Sequence, residues 1–278
     1  MPSLYTVLIF AGLDCGNHNA HHRMKPLAIL QHDPLQRPRL PARVSRRARD
    51  PGSGHPSLRR DDVPGSSRHF SGVVFLGSDA SVNDAALWIA RELRLAGNAI
   101  ACDVPVLGHC FGGQLMARAL GAAVQKNAFA NIGLRPTPAG RRIFGDGARV
   151  HAFNWRYESF SIPQKATRTL FGAHCLNKGF VFGKHLAFQG QFEVTEEIVR
   201  DRCGAHGAER SNACGPAAQQ EAEILICLPE RVAAIQVAAR AAYAAWLAPS
   251  NAAPCRSQRS NVTPSLRRTP CKTSGISC

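Results

Sequence analysis

Apolar positions along this chain follow two different spacings. Met24-Lys25-Pro26-Leu27-Ala28-Ile29-Leu30-Gln31-His32 holds a short continuous apolar run, and Phe70 to Leu76 holds another that stops at Gly77-Ser78. Short runs bounded by turn residues predict buried strands. Between Asp84 and Ala96 the spacing lengthens, and Leu87, Ala90, Leu93 and Leu95 approximate one helical face. Ser81 or Asn83 would cap that helix and Gly97 would close it. Val104 to Leu107 predicts a further strand and Gln114 to Leu120 a helix. Residues 149–155, 168–173 and 179–188 read as strands, and Val194 to Cys203 as a helix. Pro229 to Trp246 is an alanine-rich helix with Pro229 in its first turn. Strands alternating with helices predict an α/β fold. The expected form is flavodoxin-like, a doubly wound and mostly parallel sheet with helices on both faces.

Two segments break the pattern. Residues 34–69 are rich in Arg, Pro, Gly and Ser and show no periodic apolar face. A doubly wound sheet needs a crossover helix and a second strand about here. Residues 248–278 have the same character. Such composition buries too little apolar surface to offset chain entropy, so it predicts disorder. Out-of-frame translation of GC-rich DNA yields similar polypeptide, and on that reading Met24 would be the natural start. The expected organisation is therefore a disordered extension over 1–23, one domain over 24–247 with 34–69 as an atypical segment, and a disordered basic tail over 248–278.

Charge adds little to this. The net charge is +15, but residues 34–69 carry nine Arg against three Asp, and residues 250–278 carry four Arg and one Lys without an acid. Most of the excess thus lies outside the expected core, which argues against a basic face for nucleic acid. No apolar run approaches the roughly 18 residues of a membrane span. Tyr5 to Leu13 has no basic stretch before it and Asp14 follows at once, so it does not read as a signal peptide. The ten cysteines are dispersed, without a C-x-x-C pair or zinc spacing. That suits a reducing, cytoplasmic setting without metal or cofactor. His18, His21 and His22 lack accompanying ligands, and Asn261-Val262-Thr263 would matter only on a secretory route.

Chemistry concentrates in Gly108-His109-Cys110-Phe111-Gly112-Gly113-Gln114, which follows Val104-Pro105-Val106-Leu107. A cysteine flanked by glycines at a strand-to-helix turn can be held as an exposed nucleophile in a sharp bend. Glycines are required where a Cβ would clash. The Phe111 N–H, at the head of a helix, would be free to bind an oxyanion. The plainer reading is a small apolar cysteine buried at a tight turn. The strand before it and the helix after it favour the nucleophile.

Two other segments accompany this elbow. Gly72-Val73-Val74-Phe75-Leu76-Gly77-Ser78-Asp79-Ala80-Ser81-Val82 precedes it, and Ala187-Phe188-Gln189-Gly190-Gln191-Phe192-Glu193-Val194-Thr195 follows. In this order they resemble the class I glutamine amidotransferases, particularly stand-alone proteins similar to the amidotransferase domain of GMP synthase. The resemblance spans residues 24–33 and 70–247. It implies that Cys110 attacks the side-chain amide of glutamine, yielding glutamate and ammonia. The N–H of Phe111 and one from Gly77-Ser78 would form the oxyanion hole. Gln114 and Gly112 would lie at the substrate, and Glu193 would be the acidic triad member. Such proteins normally pass ammonia to a synthase. This chain has no Ser-Gly-Gly-x-Asp-Ser-like loop or Walker A sequence, so the acceptor reaction would belong to a separate partner.

The chain departs from the family pattern at the base. Gln-x-His-x-Glu is replaced by Gln189-Gly190-Gln191-Phe192-Glu193, so Gln191 stands where the histidine should be. A glutamine amide cannot take the thiol proton and return one to ammonia. Loss of a general acid–base group commonly costs about 10²–10⁴-fold. On one strand, His185 would lie roughly 20 Å from Gln191. His109 would point away from the nucleophile, and His151 and His174 belong to other strands. The expected activity is therefore impaired, and Glu193 would have no imidazole to orient. Smaller departures are Gly77-Ser78-Asp79 in place of a Gly-Gly-Pro turn and Arg156 where histidine is common. Asn131 to Gly140 is also shorter than the family's stretch. Two rival readings remain. One is a catalytically inactive amidotransferase-like binding protein. The other is a dienelactone-hydrolase-like α/β hydrolase using Asp146 and His174, or Asp201 and His206.

Overall fold

A computed structural model describes residues 5–9, 25–32, 57–58, 63–145, 147–205 and 215–248. The tail over 249–278, the histidines at 18, 21 and 22, Met24, Asp146, His206 and most of 34–69 lie outside these residues. Of the expected N-terminal extension, Tyr5–Ile9 forms strand β1, and Ser57–Leu58 forms β3 within the atypical segment.

The main sheet is built around β2 (Leu27–Gln31), β4 (Gly72–Phe75), β5 (Val106–His109) and β10 (His185–Phe188), which run parallel to one another. Its order is β3-β1-β2-β4-β5-β10-β9-β8. The flanking strands β1, β3, β9 (Asn177–Phe182) and β8 (Thr167–Phe171) are antiparallel additions, so only the centre has the parallel pairing that was expected. The stretch 179–188, read as one strand, is a hairpin whose turn contains Gly183 at φ +58°.

Strand alternation divides the core between the two faces of this sheet. Leu27, Ile29, Val74, Leu76, Leu107 and Leu186 belong to one apolar cluster, whereas Ala28, Leu30, Val73, Phe75 and Val106 belong to the other. Helices α1 (Leu87–Ala101) and α2 (Phe111–Ala119) supply the second cluster. The first receives the long helix α6 (Leu228–Leu247) and an antiparallel pair, β6 (Val124–Pro138) with β7 (Arg149–Phe160). The shorter helices are α3 (Arg141–Phe144), α4 (Glu196–Ala205) and α5 (Glu221–Leu225). Each face thus has its own apolar layer, as the continuous apolar strands require.

Helix α1 differs from its expected limits. It begins after Ala86 without a side-chain cap, because the Ser81 hydroxyl donates to the Glu158 carboxylate and Asn83 bonds the Val124 carbonyl. It runs through Gly97 and ends where Asp103 turns left-handed at φ +56°. Its buried face is Ile89, Glu92, Leu95, Ala96 and Ala99, and Leu87 is 80% exposed. Helix α2 starts three residues before Gln114, directly after Cys110. Strand β6 was not anticipated. Asn131 to Pro138, expected to be a shortened excursion, lies in register with β7.

Candidate active site around Cys110

Cys110 sits at the carboxyl end of β5, between β4 and β10, where ligands bind in open α/β sheets. Its backbone is held at φ +51°, ψ −109°, a conformation rare for a residue with a side chain. The elbow is locked by the Cys110 N–H donating to the Phe188 carbonyl at 2.9 Å and the Gly112 N–H donating to the Leu76 carbonyl at 3.2 Å. A Cβ on Gly112 would lie 2.1 Å from the Phe75 carbonyl oxygen, and one on Gly113 would lie 2.4 Å from that of Phe188. These glycines bring the head of α2 against two strands at once. Gly112 therefore acts in packing, and it is not among the residues lining the cavity beside Cys110.

That cavity measures about 380 Å³ and is lined by Ser78, Asp79, Ala80, Ser81, Cys110, Gln114, Lys126, Trp155, Arg156, Tyr157 and Glu158. Gln114 Nε2 donates to the Glu158 carbonyl at 3.1 Å and approaches Gln189 Oε1 at 3.4 Å. The buried Arg156 guanidinium donates to the carbonyl and side-chain oxygens of Gln189, and at 2.8 Å to Asn154 Oδ1. Arg202 on α4 pairs with Asp79 at the rim. Residue types alone mark Lys126 and Glu158 only as ordinary polar positions, and Arg156 only as a departure from a common histidine. Their convergence depends on β6 and β7 folding back over the elbow.

The expected oxyanion donors divide between two elements. The Phe111 N–H faces the Cys110 sulfur, while its ring packs edge-on against His32 at 4.9 Å between centroids. Ser78 lines the cavity and Gly77 does not. Instead, the Gly77 carbonyl accepts a hydrogen bond from His32 Nδ1 at 3.1 Å, and His32 Nε2 lies 2.9 Å from a carboxylate oxygen of Glu92. The His32 ring thus bridges the Gly77 carbonyl and the Glu92 carboxylate. This buried pair, absent from the residue-level expectation, braces the loop opposite Cys110.

Burial pushes the Cys110 thiol up from its ordinary range. Arg156 and Arg202 oppose that shift, Glu193 adds to it, and the Phe111 N–H opposes it. Gln191 is 2% exposed, pairs through its backbone with Phe153, and does not line the cavity. Glu193 corrects the expectation that it would lack an imidazole. Its Oε2 lies 3.5 Å from Nδ1 of His109, whose Nε2 meets the Tyr243 hydroxyl at 3.0 Å. Burial raises the Tyr243 pKa, so its hydroxyl stays neutral, and burial lowers that of His109 against the opposing pull of Glu193 and the Gly190 backbone. His109 is fully buried among Phe188, Phe192 and Tyr243 and does not line the cavity. His185 accepts from the Val106 N–H at 3.2 Å, with burial drawing its pKa down to about 4. His151 and His174 line a different cavity. Among the described residues, no histidine lines the cavity of Cys110.

No group of three or more His, Cys, Asp or Glu arranged to hold a metal ion occurs among the described residues. No helix among them is long and apolar enough to cross a membrane.

A parallel-centred α/β sheet with a strained cysteine elbow facing a small-residue loop places the protein among α/β proteins that present a nucleophile at the carboxyl ends of their strands. Neither a protein-family model nor a curated protein matches the chain. Among solved structures, it resembles a glutamine amidotransferase from Methylobacillus flagellatus at 33% identity, covering 66% of this chain and 78% of that one, with a TM-score of 0.64. A glutamine amidotransferase from Thermotoga maritima shares the fold at 22% identity and TM-score 0.59, covering 65% of this chain and 80% of that one. The chain belongs to the class I glutamine amidotransferase family.

Proposed function

We propose that the Cys110 cavity binds glutamine and that hydrolysis of its side-chain amide is impaired. The carrying observation is the absence of histidine among the described cavity-lining residues, with Gln191 in the base position. In the reaction, the Cys110 sulfur would bond to the amide carbon while the carbonyl oxygen gains negative charge. The Phe111 N–H and the Ser78 loop would face that charge. Collapse of the adduct releases ammonia, whose nitrogen must acquire the proton lost by the thiol. Water then cleaves the thioester to glutamate. An imidazole would normally carry both protons. Here the thiol is held protonated by burial, and Glu193 is engaged with His109, so proton transfer would need water or the substrate itself.

Ammonia made this way would serve a separate synthase that activates its own acceptor. The reading is tested by ammonia release from glutamine. The full chain should be slow, Cys110→Ala should be inactive while still binding glutamine, and Gln191→His should raise kcat by about 10²–10⁴-fold. Full activity in the parent, or activity that survives Cys110→Ala, overturns it. Tight glutamine binding with no turnover, even in Gln191→His, would favour a binding protein.

A further inference from the structure

A second cavity, of about 510 Å³, shares no lining residue with the first. It lies among β6, β7, the β8–β9 turn and the start of α6. Its wall carries Arg135, Arg149, His151, His174, Lys178 and Arg231, and no carboxylate occurs among the described lining residues. Neither the three arginines nor Lys178 forms an ion pair with an acid among the described residues.

Lys178 is the most unusual of these groups. It is 6% exposed, and Thr137 Oγ1 at 3.5 Å is the hydrogen-bond partner of its ammonium. Its side chain runs through the space left by Gly172, where a Cβ would stand 2.5 Å from Lys178 Cε. Burial and the nearby Arg156 draw its pKa down to about 8; Arg135 adds to the fall and Cys175 opposes it. Arg135 Nε is buried without a hydrogen-bond partner. Arg231 is partly committed, since it donates to the carbonyls of Glu223, Ile224, Ile226 and Leu134.

Buried charges are ordinarily paired, and gathering like charges around one void opposes folding. A ligand that brings negative charge removes both costs. Guanidinium forks match phosphate oxygens two at a time, and an ammonium adds a point charge. The cavity also falls in the usual size range for small-molecule sites, roughly 300–1,000 Å³.

We propose that this cavity binds a small phosphorylated metabolite, with the phosphoryl group among Lys178, Arg135 and Arg149 and the remaining volume holding its organic part. The site is separate from the Cys110 cavity and does not depend on the glutaminase reading. Lys178 on β9 is two strands from β5, which carries Cys110, with β10 between them.

The test is calorimetric and thermal titration of the full chain at constant ionic strength with ribose 5-phosphate, inorganic phosphate and malonate. Ribose 5-phosphate should bind, raise the melting temperature and outcompete inorganic phosphate. Its Kd should weaken about tenfold in Lys178→Met and in Arg149→Gln, the loss expected for one charge-assisted contact. Arg149 is exposed, so its replacement tests the site without changing buried packing. Glutamine binding should be unchanged in both. Three results each overturn the proposal: no binding of the phosphomonoester, equal binding by wild type and Arg149→Gln, or tighter binding of malonate. Inorganic phosphate binding as tightly as ribose 5-phosphate would overturn the metabolite assignment.

Discussion

Glu193 Oε2 lies 3.5 Å from Nδ1 of His109, the residue immediately before Cys110. The acidic residue expected to orient a catalytic imidazole is therefore engaged with one on the buried side of β5. Tyr243, from α6, closes the arrangement at Nε2. The polar chain Glu193–His109–Tyr243 ties the last strand-turn, the elbow strand and the long helix together inside an aromatic cluster.

His109→Leu should consequently be destabilising. It leaves the Glu193 carboxylate and the Tyr243 hydroxyl buried without this neighbour, at a cost of roughly 3–5 kcal/mol. Denaturant unfolding would measure the loss. Adding Glu193→Leu and Tyr243→Phe should recover part of it, because an apolar cluster needs no internal partner.

The thiol of Cys110 is held above its ordinary range mainly by burial. Alkylation by iodoacetamide should then be slow at pH 7 and rise with a midpoint above that of an exposed cysteine such as Cys227. Peptide mass spectrometry can follow both sites in one sample. Arg156→Met should move the Cys110 midpoint further upward, since Arg156 is the first of the cations opposing the shift. An unchanged midpoint would mean that Arg156 does not act on the sulfur.

His32 and Glu92 brace Gly77 from within the core. Removing either partner alone should cost about 3–5 kcal/mol, while the double replacement His32→Leu with Glu92→Leu should cost less than the sum. A double-mutant cycle measures that coupling. In the Gln191→His background, Glu92→Gln should lower kcat more than it changes KM, because the loop it braces faces the reacting carbon rather than the rest of the substrate.

Lys178 offers a pH signature. Its pKa falls from 10.5 in the unfolded chain to about 8 in the fold, so between these values the unfolded state binds the extra proton. Stability from this residue is therefore complete above the unfolded value and is lost as pH falls from about 10 to 8. Lys178→Met should be more stable than the parent at pH 7, by up to about 3 kcal/mol. The difference should vanish above pH 10.5. Comparing the two unfolding curves across pH removes the contribution of other groups.

Much of this protein is local and could be read from the chain. The strands at Leu27, Gly72 and Val106 are continuous apolar runs, and glycines flank Cys110 because backbone elements meet within van der Waals distance there. The Gln191 substitution is equally plain, since it replaces one residue type in a short motif. The limits of α1 were not legible, because Ser81 and Asn83 have tertiary partners in Glu158 and Val124 that outcompete the caps they would otherwise form. Strand β6 mixes exposed and buried positions without a clean alternation, so pairing with β7 creates it. Side-chain type and order thus determined the elbow, the parallel centre and the glutamine at position 191. Only the tertiary structure decided that His109 faces Glu193, that His32 and Glu92 hold Gly77, and that six basic side chains surround one cavity. Those relationships join residues far apart in the chain, and burial and distance, which set their energies, exist only once the strands are packed.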